Sequence, residues 1–440
     1  MDKNQILRIL EDWNLWKKDL DTGFMRLQYL TQLQKLRNSK QVMVITGARR
    51  SGKSYIMRQF AKQLISEGIN EKNILFINFE DSRFYGLNTE LLQKVYETYL
   101  ESLNPCGPVY IFLDEIQEID KWEKWVRTMH ELKKAELMIS GSSAHLLSQE
   151  LSTLLTGRHL DLTVFPLSFK EFIAFNGIEL KDDLDIVNKR IEIKRLLAEY
   201  FEYGSFPEVA LTGNKKQILL TYFDDLLNKD LIRKYKIRKT GKIKELMIYY
   251  LSNISTSCTY NSLEKQILLS KDTIEKFSGY LESTYLIFSL NRFSFKLKEQ
   301  EKSPRKIYAI DSGLSNQIGF KFSPNTGRTA ENLVFVELLR QKSLIPEMEL
   351  FYFKNERQKE VDFVIKEHFK VKSLIQVCWN IEDYKTKKRE IDGLVAGLQT
   401  FNLKEGLVIT DDYENEEYYK EFKIRYIPLY KWLLKNPKTC

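Results

Sequence analysis

The segment from Gly47 to Ser54 has the residue types and the spacing of a loop that binds phosphate groups. It reads Gly-Ala-Arg-Arg-Ser-Gly-Lys-Ser, which fits G-x-x-x-x-G-K-[ST], and it lies between an apolar run and a helical pattern. The glycines let backbone N–H groups surround phosphate oxygens, and the start of the following helix attracts anions. We expect Lys53 to reach the β- and γ-phosphates and the Ser54 hydroxyl to ligate Mg²⁺. The residues predicted to bind a nucleoside triphosphate here are Gly47, Ala48, Arg49, Arg50, Ser51, Gly52, Lys53, Ser54 and Tyr55.

A second motif places two carboxylates at the end of a predicted strand. The apolar run Val109–Leu113 predicts a buried strand, and Asp114 and Glu115 follow it. Beside a phosphate-binding loop, Asp114 is expected to hold Mg²⁺ through water, and Glu115 is expected to act as a base toward the attacking water. Two carboxylates at this place could instead form an exposed turn. The adjacent Asp-Glu pair, in a sequence without Asn-Lys-x-Asp, favours ATP over GTP.

Polar residues at the ends of two other predicted strands could complete the site. The strand after the carboxylates runs into Ser140 and Ser142. We expect Ser142 to sense the γ-phosphate, with Ser140 as the alternative, although an ordinary Ser/Gly loop would have the same composition. An earlier strand ends near Asn78 and Glu80. Either residue could adjust the catalytic carboxylate, or could cap a helix instead.

The elements that must position these residues follow an alternating order. Strand and helix patterns alternate over residues 41–165, which predicts an α/β fold with a parallel sheet covered by helices. Helical patterns in residues 1–40 are expected to pack beside the nucleotide site. A helix-rich segment follows, and residues 229–244 at its end hold eight Lys or Arg and one Asp. That basic segment is either a solvated helical face or a surface that contacts a nucleic-acid backbone.

Residues 244–318 read as a winged helix, in which three helices are followed by two strands. The second and third helices are predicted at Tyr260–Ile267 and Lys271–Glu282, with Ser270 as the cap of the third. The third helix would enter the major groove of double-stranded DNA, although winged helices also dock proteins. A basic, mobile loop is expected between the strands. Its cations are Lys296, Lys298, Lys302, Arg305 and Lys306.

Composition limits the cellular setting of the chain. Its 440 residues predict two to four domains, and its net charge of +8 is compatible with nucleic acid. No apolar run is long enough to cross a membrane, and the start of the chain has no signal-peptide pattern. The four cysteines are scattered, without a C-x-x-C pair. We therefore expect a cytoplasmic protein with no membrane association.

With these motifs, the chain resembles over nearly its whole length the bacterial and archaeal AAA+ family ATPases that carry a C-terminal domain of unknown function. The resemblance implies an ATPase core at 1–166 with N-terminal helices, a helical lid at 167–243, a winged helix at 244–318 and a nuclease-like α/β domain at 319–440. Besides the segments around Gly47, Asn78, Asp114 and Ser140–Ser143, the motifs that carry it are Thr156–Arg158, Pro166–Phe169, Gly204–Glu208, Lys229-Asp230, Lys306–Asp311 and Glu360–Phe363.

The resemblance also gives Arg158 a role. In related ATPases an Arg that follows the sensor strand can act as a catalytic finger, either in cis or from a neighbouring subunit. Action in trans would require a homo-oligomer, whereas action in cis would not. The alternative for Arg158 is a structural salt bridge.

The last segment resembles the core of a PD-(D/E)XK nuclease, the restriction-endonuclease-like fold. Glu331 and Asp362 match its acidic positions, but Gln376 and Cys378 stand where a second carboxylate and a lysine are needed. Because a metal-binding charge and a cation are both lost, we expect no nuclease activity. Lys370 or Lys372 could substitute in space for the missing lysine.

Taken together, these features predict an ATP- and Mg²⁺-dependent molecular switch associated with nucleic acid. The expected catalytic residues are Lys53, Glu115, Ser142 and Arg158. One alternative is a slow ATPase that docks a protein partner, and another is an ATP-gated nuclease.

Overall fold

The structure, a computed structural model, describes residues 1–142, 157–320 and 325–435. The chain divides into two compact units, Met1–Phe165 and Pro166–Cys440. The predicted boundary after the ATPase core, at residue 166, stays a prediction. The finer boundaries within the second unit stay predictions. Ser143 and Thr156, which belong to two of the quoted motifs, lie outside the described residues.

The first unit is built on a five-stranded sheet with the order β2-β3-β4-β1-β5, in which every pairing is parallel. The predicted parallel α/β sheet is therefore confirmed. Because all strands run the same way, the loop that follows β1 and the carboxylates at the end of β3 lie at the same edge of the sheet, the one formed by the carboxyl ends of the strands. The strands are β1 (Val42–Thr46), β2 (Ile74–Asn78), β3 (Tyr110–Asp114), β4 (Glu136–Gly141) and β5 (His159–Thr163).

Helices cover both faces of this sheet, which explains why its strands are apolar throughout. In β1, Val42 and Val44 pack into one core cluster with α1 (Lys3–Trp13), α4 (Thr89–Leu103) and α5 (Trp122–Glu131). Met43 and Ile45 pack into the other cluster with α2 (Leu27–Arg37) and α3 (Lys53–Ser66). The predicted helices of residues 1–40 are thus confirmed, one on each face.

The second unit begins with the predicted helix-rich segment. It ends in a π-helical stretch, Leu226–Arg233, which sequence patterns did not indicate. Such stretches are rare and widen the helical turn locally. The preceding helices are α6 (Phe169–Phe175), α7 (Asp183–Asn188), α8 (Arg190–Tyr203), α9 (Pro207–Leu211) and α10 (Lys215–Asp225).

Three helices and a three-stranded antiparallel sheet, in the order β6-β8-β7, follow next. Ser270 precedes the third helix as expected, but its hydroxyl pairs with that of Thr273 instead of capping a backbone N–H. The expected loop between the last two strands contains a short helix. The elements are α11 (Thr240–Ser252), β6 (Thr256–Cys258), α12 (Tyr260–Ile267), α13 (Lys271–Ser283), β7 (Ile287–Leu290), α14 (Leu297–Lys302), β8 (Arg305–Ala309) and α15 (Ser312–Ile318).

A six-stranded mixed sheet completes the second unit, with the order β13-β14-β12-β11-β10-β9. β12 pairs in parallel with β11 and β14, and the other pairings are antiparallel. Across the described ranges, no helix has the length and apolar character needed to span a bilayer. The elements are α16 (Thr326–Leu344), β9 (Met348–Lys354), β10 (Glu360–Glu367), β11 (Lys370–Val377), α17 (Tyr384–Phe401), β12 (Glu405–Thr410), β13 (Asn415–Tyr419), β14 (Phe422–Pro428) and α18 (Leu429–Leu434).

Candidate nucleotide site

The loop between β1 and α3 has a backbone that only glycine can form at its first position. Gly47 has a φ of 138°, and a Cβ atom there would lie 2.0 Å from the carbonyl oxygen of Val164. The N–H of Val164 donates to the carbonyl of Thr46 at 2.6 Å, which fixes the loop against the end of β5. Gly52, with a φ of 100°, begins α3. The predicted phosphate-binding loop therefore has the turn geometry that its glycines suggested.

Lys53 is buried inside this loop. Its side chain is 4% exposed, and its ammonium donates to the carbonyls of Gly47 and Ala48, each at 3.1 Å. The Oε1 atom of Glu115 lies 3.7 Å from the ammonium. The cation is thus held within the curve of the loop by main-chain oxygens and a distant carboxylate. These are contacts that phosphate oxygens can replace.

Asp114 lies at the end of β3 beside the first turn of α3. It is 1% exposed, and its side chain hydrogen-bonds with the hydroxyls of Ser140 and Ser54. Burial, together with the neighbouring charge of Glu115, raises the pKa of Asp114 to about 6. A cation bound here would oppose that rise. The hydroxyl of Ser54 and the carboxylate of Asp114 are oxygen ligands of the kind that Mg²⁺ prefers, so the donor set fits the ion.

Glu115 occupies a strained backbone position, with a φ of 51° and a ψ of 49°. Its N–H donates to the hydroxyl of Ser140 at 3.0 Å, and Gln117 donates to its carboxylate. Burial opposes ionisation, but the charge of Lys53 and the hydrogen bond from Gln117 lower the pKa of Glu115 overall. Glu115 is therefore a carboxylate that can accept a proton, as a general base must.

Both predicted sensor serines lie at these carboxylates. Ser140 bonds to Asp114 and to the N–H of Glu115, and the side chain of Ser142 hydrogen-bonds to Glu115. The sensing of a γ-phosphate by Ser142 stays a prediction. The double contact of Ser140 was not anticipated, because its partners precede it by about 25 residues and become neighbours only through the pairing of β3 with β4.

The end of β2 supplies two further groups. Asn78 pairs in register with Asp114, and its side-chain oxygen accepts the N–H of Glu80 at 2.9 Å. Asn78 therefore closes a turn and does not cap a helix, because the next described helix, α4, begins at Thr89. Glu80 accepts a hydrogen bond from the guanidinium of Arg49 at 2.7 Å. An arginine of the phosphate-binding loop is thus tied to the neighbouring strand end.

The remaining loop residues differ in exposure. Ser51 is buried, and its hydroxyl has no hydrogen-bond partner among the described residues. An unsatisfied hydroxyl in this place fits a loop that receives an oxygen-rich ligand. Arg26 donates to the carbonyl of Ser51 at 2.9 Å, so the N-terminal helices do support the site. Arg50 is exposed, and the ring of Tyr55 lies against Gly23 and is also exposed.

Arg158 does not lie at this site within one chain. It precedes β5, and its carbonyl accepts the N–H of Val42 at the amino end of β1. The phosphate-binding loop begins at the other end of that strand, about 13 Å away at 3.3 Å per residue. The guanidinium of Arg158 pairs with Glu131. The expectation of a finger in cis is therefore wrong for this geometry, and the salt-bridge alternative is observed.

A second cluster of charges lies in the second unit and involves the acidic residues of the nuclease-like motif. The ammonium of Lys306 is 3.0 Å from Glu331, 2.8 Å from Glu360 and 2.8 Å from Asp362. Lys306 belongs to β8 and is 4% exposed. The expectation that it is part of a mobile basic loop is wrong, because three carboxylates from α16 and β10 enclose it.

The charges in this cluster are strongly coupled. Burial alone would lower the pKa of Lys306, but Asp362 and Glu331 raise it well above its usual value. Burial and the charge of Asp362 raise the pKa of Glu331 to about 7. For Glu360, the adjacent Lys306 outweighs burial and lowers the pKa. The ammonium of Lys306 thus stays charged, and it is the cation that balances the three surrounding carboxylates.

The positions that depart from the nuclease motif are also buried. Gln376 accepts the N–H of Asp362 at 3.1 Å and donates to Glu390 at 2.5 Å. Burial raises the pKa of Cys378 to about 12, so its thiol supplies no charge. Lys370 and Lys372 are exposed on the opposite half of β11, so neither substitutes for the missing lysine. In the described part of the chain, no group of three or more His, Cys, Asp or Glu has a geometry that could hold a metal ion.

Comparison with known proteins finds three family models that match successive parts of this chain. A family model described as an AAA domain matches residues 39–173. Two models described as domains of unknown function, DUF8612 and DUF4143, match residues 194–325 and 326–432. Uncharacterized protein MJ1544 of Methanocaldococcus jannaschii is 34% identical over 407 residues, covering 89% of this chain and 88% of that protein. The chain belongs to the same family.

This AAA-domain protein has further similarities. An uncharacterized protein of Haemophilus influenzae is 29% identical over 400 residues, covering 89% of this chain and 94% of that protein. Among solved structures, the Walker-type ATPase PABY2304 of Pyrococcus abyssi is 12% identical with a TM-score of 0.43. The match covers 67% of this chain and 96% of that one.

Two contacts, one at the nucleotide site and one in the second charge cluster, were missed from the sequence. Gln117 follows the carboxylates by two residues, and its bond to Glu115 depends on the turn that Glu115 begins. Lys306 was assigned to a loop, although it alternates with Tyr308 along a strand, and both side chains contact Glu331. The alternation of side chains along a strand, which puts Lys306 and Tyr308 on the same face, was the signal that could have placed Lys306 in the protein interior.

Proposed function

We propose that this protein binds ATP with Mg²⁺ and hydrolyses it. The observation that supports the proposal most is the assembly of Lys53, Ser54, Asp114 and Glu115 at one edge of a parallel sheet. Three of these four side chains are buried, and the pKa of Glu115 is lowered although burial opposes its ionisation. Perturbed carboxylates beside a phosphate-binding loop are typical of a catalytic site.

Each residue would have a distinct role in the reaction. Lys53 and the loop N–H groups bind phosphate oxygens, and Ser54 and Asp114 hold the Mg²⁺ that neutralises them. Glu115 accepts the proton of a water molecule whose oxygen attacks the γ-phosphorus, and the bond from that phosphorus to the ADP oxygen breaks. Ser140 keeps both carboxylates oriented.

Steady-state hydrolysis of ATP tests this proposal. Glu115→Gln should lower kcat by roughly 10²- to 10⁴-fold, because a general base typically contributes that much. Lys53→Ala should weaken ATP binding. A matched control is Lys62→Ala on the same helix, whose side chain is 48% exposed and pairs with Asp19. Hydrolysis that survives Glu115→Gln unchanged would contradict the proposal.

We further propose that the ATPase is associated with double-stranded DNA. Seven of the eight cations between Lys229 and Lys244 are exposed, with Lys242 only partly buried. Dense exposed cations on a helical segment are suited to phosphate contacts. The third helix of the proposed winged helix is less suited, because its exposed face mixes Lys271 and Lys276 with Asp272.

Hydrolysis with and without duplex DNA distinguishes this role from a protein-docking switch. If DNA is the partner, it should raise the ATPase rate, and the stimulation should fall steeply with salt. Arg233→Glu with Arg238→Glu should reduce DNA binding without changing the basal rate. A slow ATPase rate that does not change when DNA is added would favour the alternative, a regulatory switch that docks a protein while ATP is bound.

We propose that the C-terminal domain has a restriction-endonuclease-like fold without nuclease activity. Lys306 is the buried cation of Glu331, Glu360 and Asp362, where a nuclease would need a divalent ion. Incubation of DNA with the protein, ATP and Mg²⁺ or Mn²⁺ should yield no cleavage. Cleavage that disappears in Asp362→Ala would instead support an ATP-gated nuclease.

A further inference from the structure

The phosphate-binding loop carries a cation whose role the preceding assignments leave open. Arg49 follows Ala48 in the loop, and its guanidinium NH1 atom lies 2.7 Å from Oε1 of Glu80. The side chain of Arg49 is 22% exposed, and that of Glu80 is 44% exposed. An ion pair open to solvent on this scale is weak. A more highly charged anion can therefore displace Glu80 from Arg49.

Glu80 is fixed at the carboxyl edge of the sheet. The N–H of Phe79 donates to the carbonyl of Asp114 at 3.1 Å, and the N–H of Glu80 donates to Asn78 at 2.9 Å. The turn that holds Glu80 is thus attached to the strand end that carries the catalytic carboxylates. By pairing with Glu80, Arg49 is kept beside these carboxylates.

The register of the sheet places Arg49 near the catalytic carboxylates. Asn78 pairs with Asp114 between β2 and β3, and Glu80, the ion-pair partner of Arg49, follows Asn78 by two residues. A guanidinium held at this strand end lies at the edge of the sheet where the γ-phosphate would bind. Arg158, in contrast, pairs with Glu131 at the other edge of the sheet.

We propose that Arg49 is the catalytic arginine acting in cis, and that Glu80 holds its guanidinium until ATP is bound. In the transition state of phosphoryl transfer, negative charge spreads over the γ-phosphate oxygens, and a positioned guanidinium stabilises it. The transfer of Arg49 from Glu80 to these oxygens supplies that cation without a second subunit. This inference rests on the proposed ATPase function.

Binding of a transition-state mimic tests the inference separately from turnover. The probes are ADP with Mg²⁺ alone and ADP with Mg²⁺ and aluminium fluoride, the latter resembling the transferring phosphoryl group. Arg49→Ala should weaken binding of the fluoride complex at least roughly 100-fold while changing ADP affinity much less. It should also lower kcat by roughly 10³-fold or more, the contribution of an arginine finger.

Two further variants serve as controls. Arg83→Ala removes another guanidinium that follows β2 and pairs with Asp81 and Asp12, so it should change neither affinity more than about threefold. Glu80→Gln removes this ion pair and should leave binding of the fluoride complex equal or tighter. If Glu80→Gln instead weakens it as much as Arg49→Ala, the ion pair only supports the loop, and the inference is overturned.

The two proposals fail in different ways. If the wild-type protein neither hydrolyses ATP nor binds the fluoride complex more tightly than ADP, the ATPase proposal is wrong. If the wild-type protein does both and Arg49→Ala matches Arg83→Ala, the ATPase proposal stands and the role of Arg49 is refuted.

Discussion

Replacing Lys306 with methionine should destabilise the second unit strongly. Methionine keeps the length and the apolar stem of the lysine but removes the ammonium, which leaves Glu331, Glu360 and Asp362 without their cation. The side chains of Lys306, Glu331 and Asp362 are 4%, 13% and 8% exposed, so water compensates little of the loss. Breaking a buried ion pair by removing one partner costs about 3–5 kcal/mol. We expect a loss in this range.

A matched control separates this effect from the loss of any lysine on a strand of the second unit. Lys366 pairs with Glu349 between β10 and β9, where the two side chains are 24% and 46% exposed. Lys366→Met should therefore cost no more than about 1 kcal/mol. Urea denaturation followed by hydrogen exchange and mass spectrometry of residues 360–377 reports the stability of this unit. Equal losses in the two variants would refute the reasoning.

The cluster also predicts how the penalty depends on pH. The folded pKa of Glu331 is raised to about 7 from its ordinary 4.5. Its stabilising contribution is therefore complete below the unfolded value and is lost as the pH rises through about 7. Without Lys306, Glu331 and Glu360 lose the neighbouring cation that lowers their pKa values, so both carboxylates hold protons more tightly. The penalty of Lys306→Met should therefore shrink between about pH 8 and about pH 5, and a penalty that grows on acidification would contradict the assignment.

Three further substitutions test the first unit. Gly47→Ala should abolish ATP binding, because its Cβ would lie 2.0 Å from the Val164 carbonyl; fluorescent-nucleotide titration checks this, and an unchanged affinity would disprove it. Ser140→Ala leaves the Glu115 N–H unpaired and should lower kcat about 10- to 100-fold at a similar KM, roughly 1–3 kcal/mol; a change in KM alone would contradict this role. Arg158→Ala should leave the ATPase rate of the dilute protein within about twofold of the wild-type rate, because Arg158 pairs with Glu131 away from the nucleotide site. A loss of rate of the same size at every protein concentration would instead indicate that Arg158 acts in cis.

The first unit was largely predictable from sequence because its signals are local. The strand that carries the catalytic carboxylates was expected at Val109–Leu113 and spans Tyr110–Asp114, so the prediction was one residue early. An apolar strand between two helical patterns, with a Gly-rich turn at its end, determines its own structure within about 15 residues. The strand order was not predictable, because it depends on which crossovers place β4 between β1 and β3.

The parts of the site that could not be predicted depend on distant pairings. Arg49 meets Glu80 across 31 positions, and Lys306 meets Asp362 across 56. The sequence shows which residues are charged, but it does not show which of the many residues of opposite charge each one will contact in the folded chain. Arg158 illustrates the opposite error. Its place after the sensor strand suggested the nucleotide site, yet the parallel direction of β5 puts the start of that strand at the far edge.

The two buried lysines show how packing decides between a binding role and a structural one. Lys53 and Lys306 are each 4% exposed and each lie near carboxylates. Lys53 bonds to two carbonyls at 3.1 Å, and its nearest carboxylate, that of Glu115, is 3.7 Å away. Lys306 has three carboxylates within 3.0 Å. A phosphate can therefore take the ammonium of Lys53 by displacing neutral groups, whereas an anion approaching Lys306 would have to displace charges already in contact. The same residue type is thus open to a ligand in the first unit and closed to one in the second.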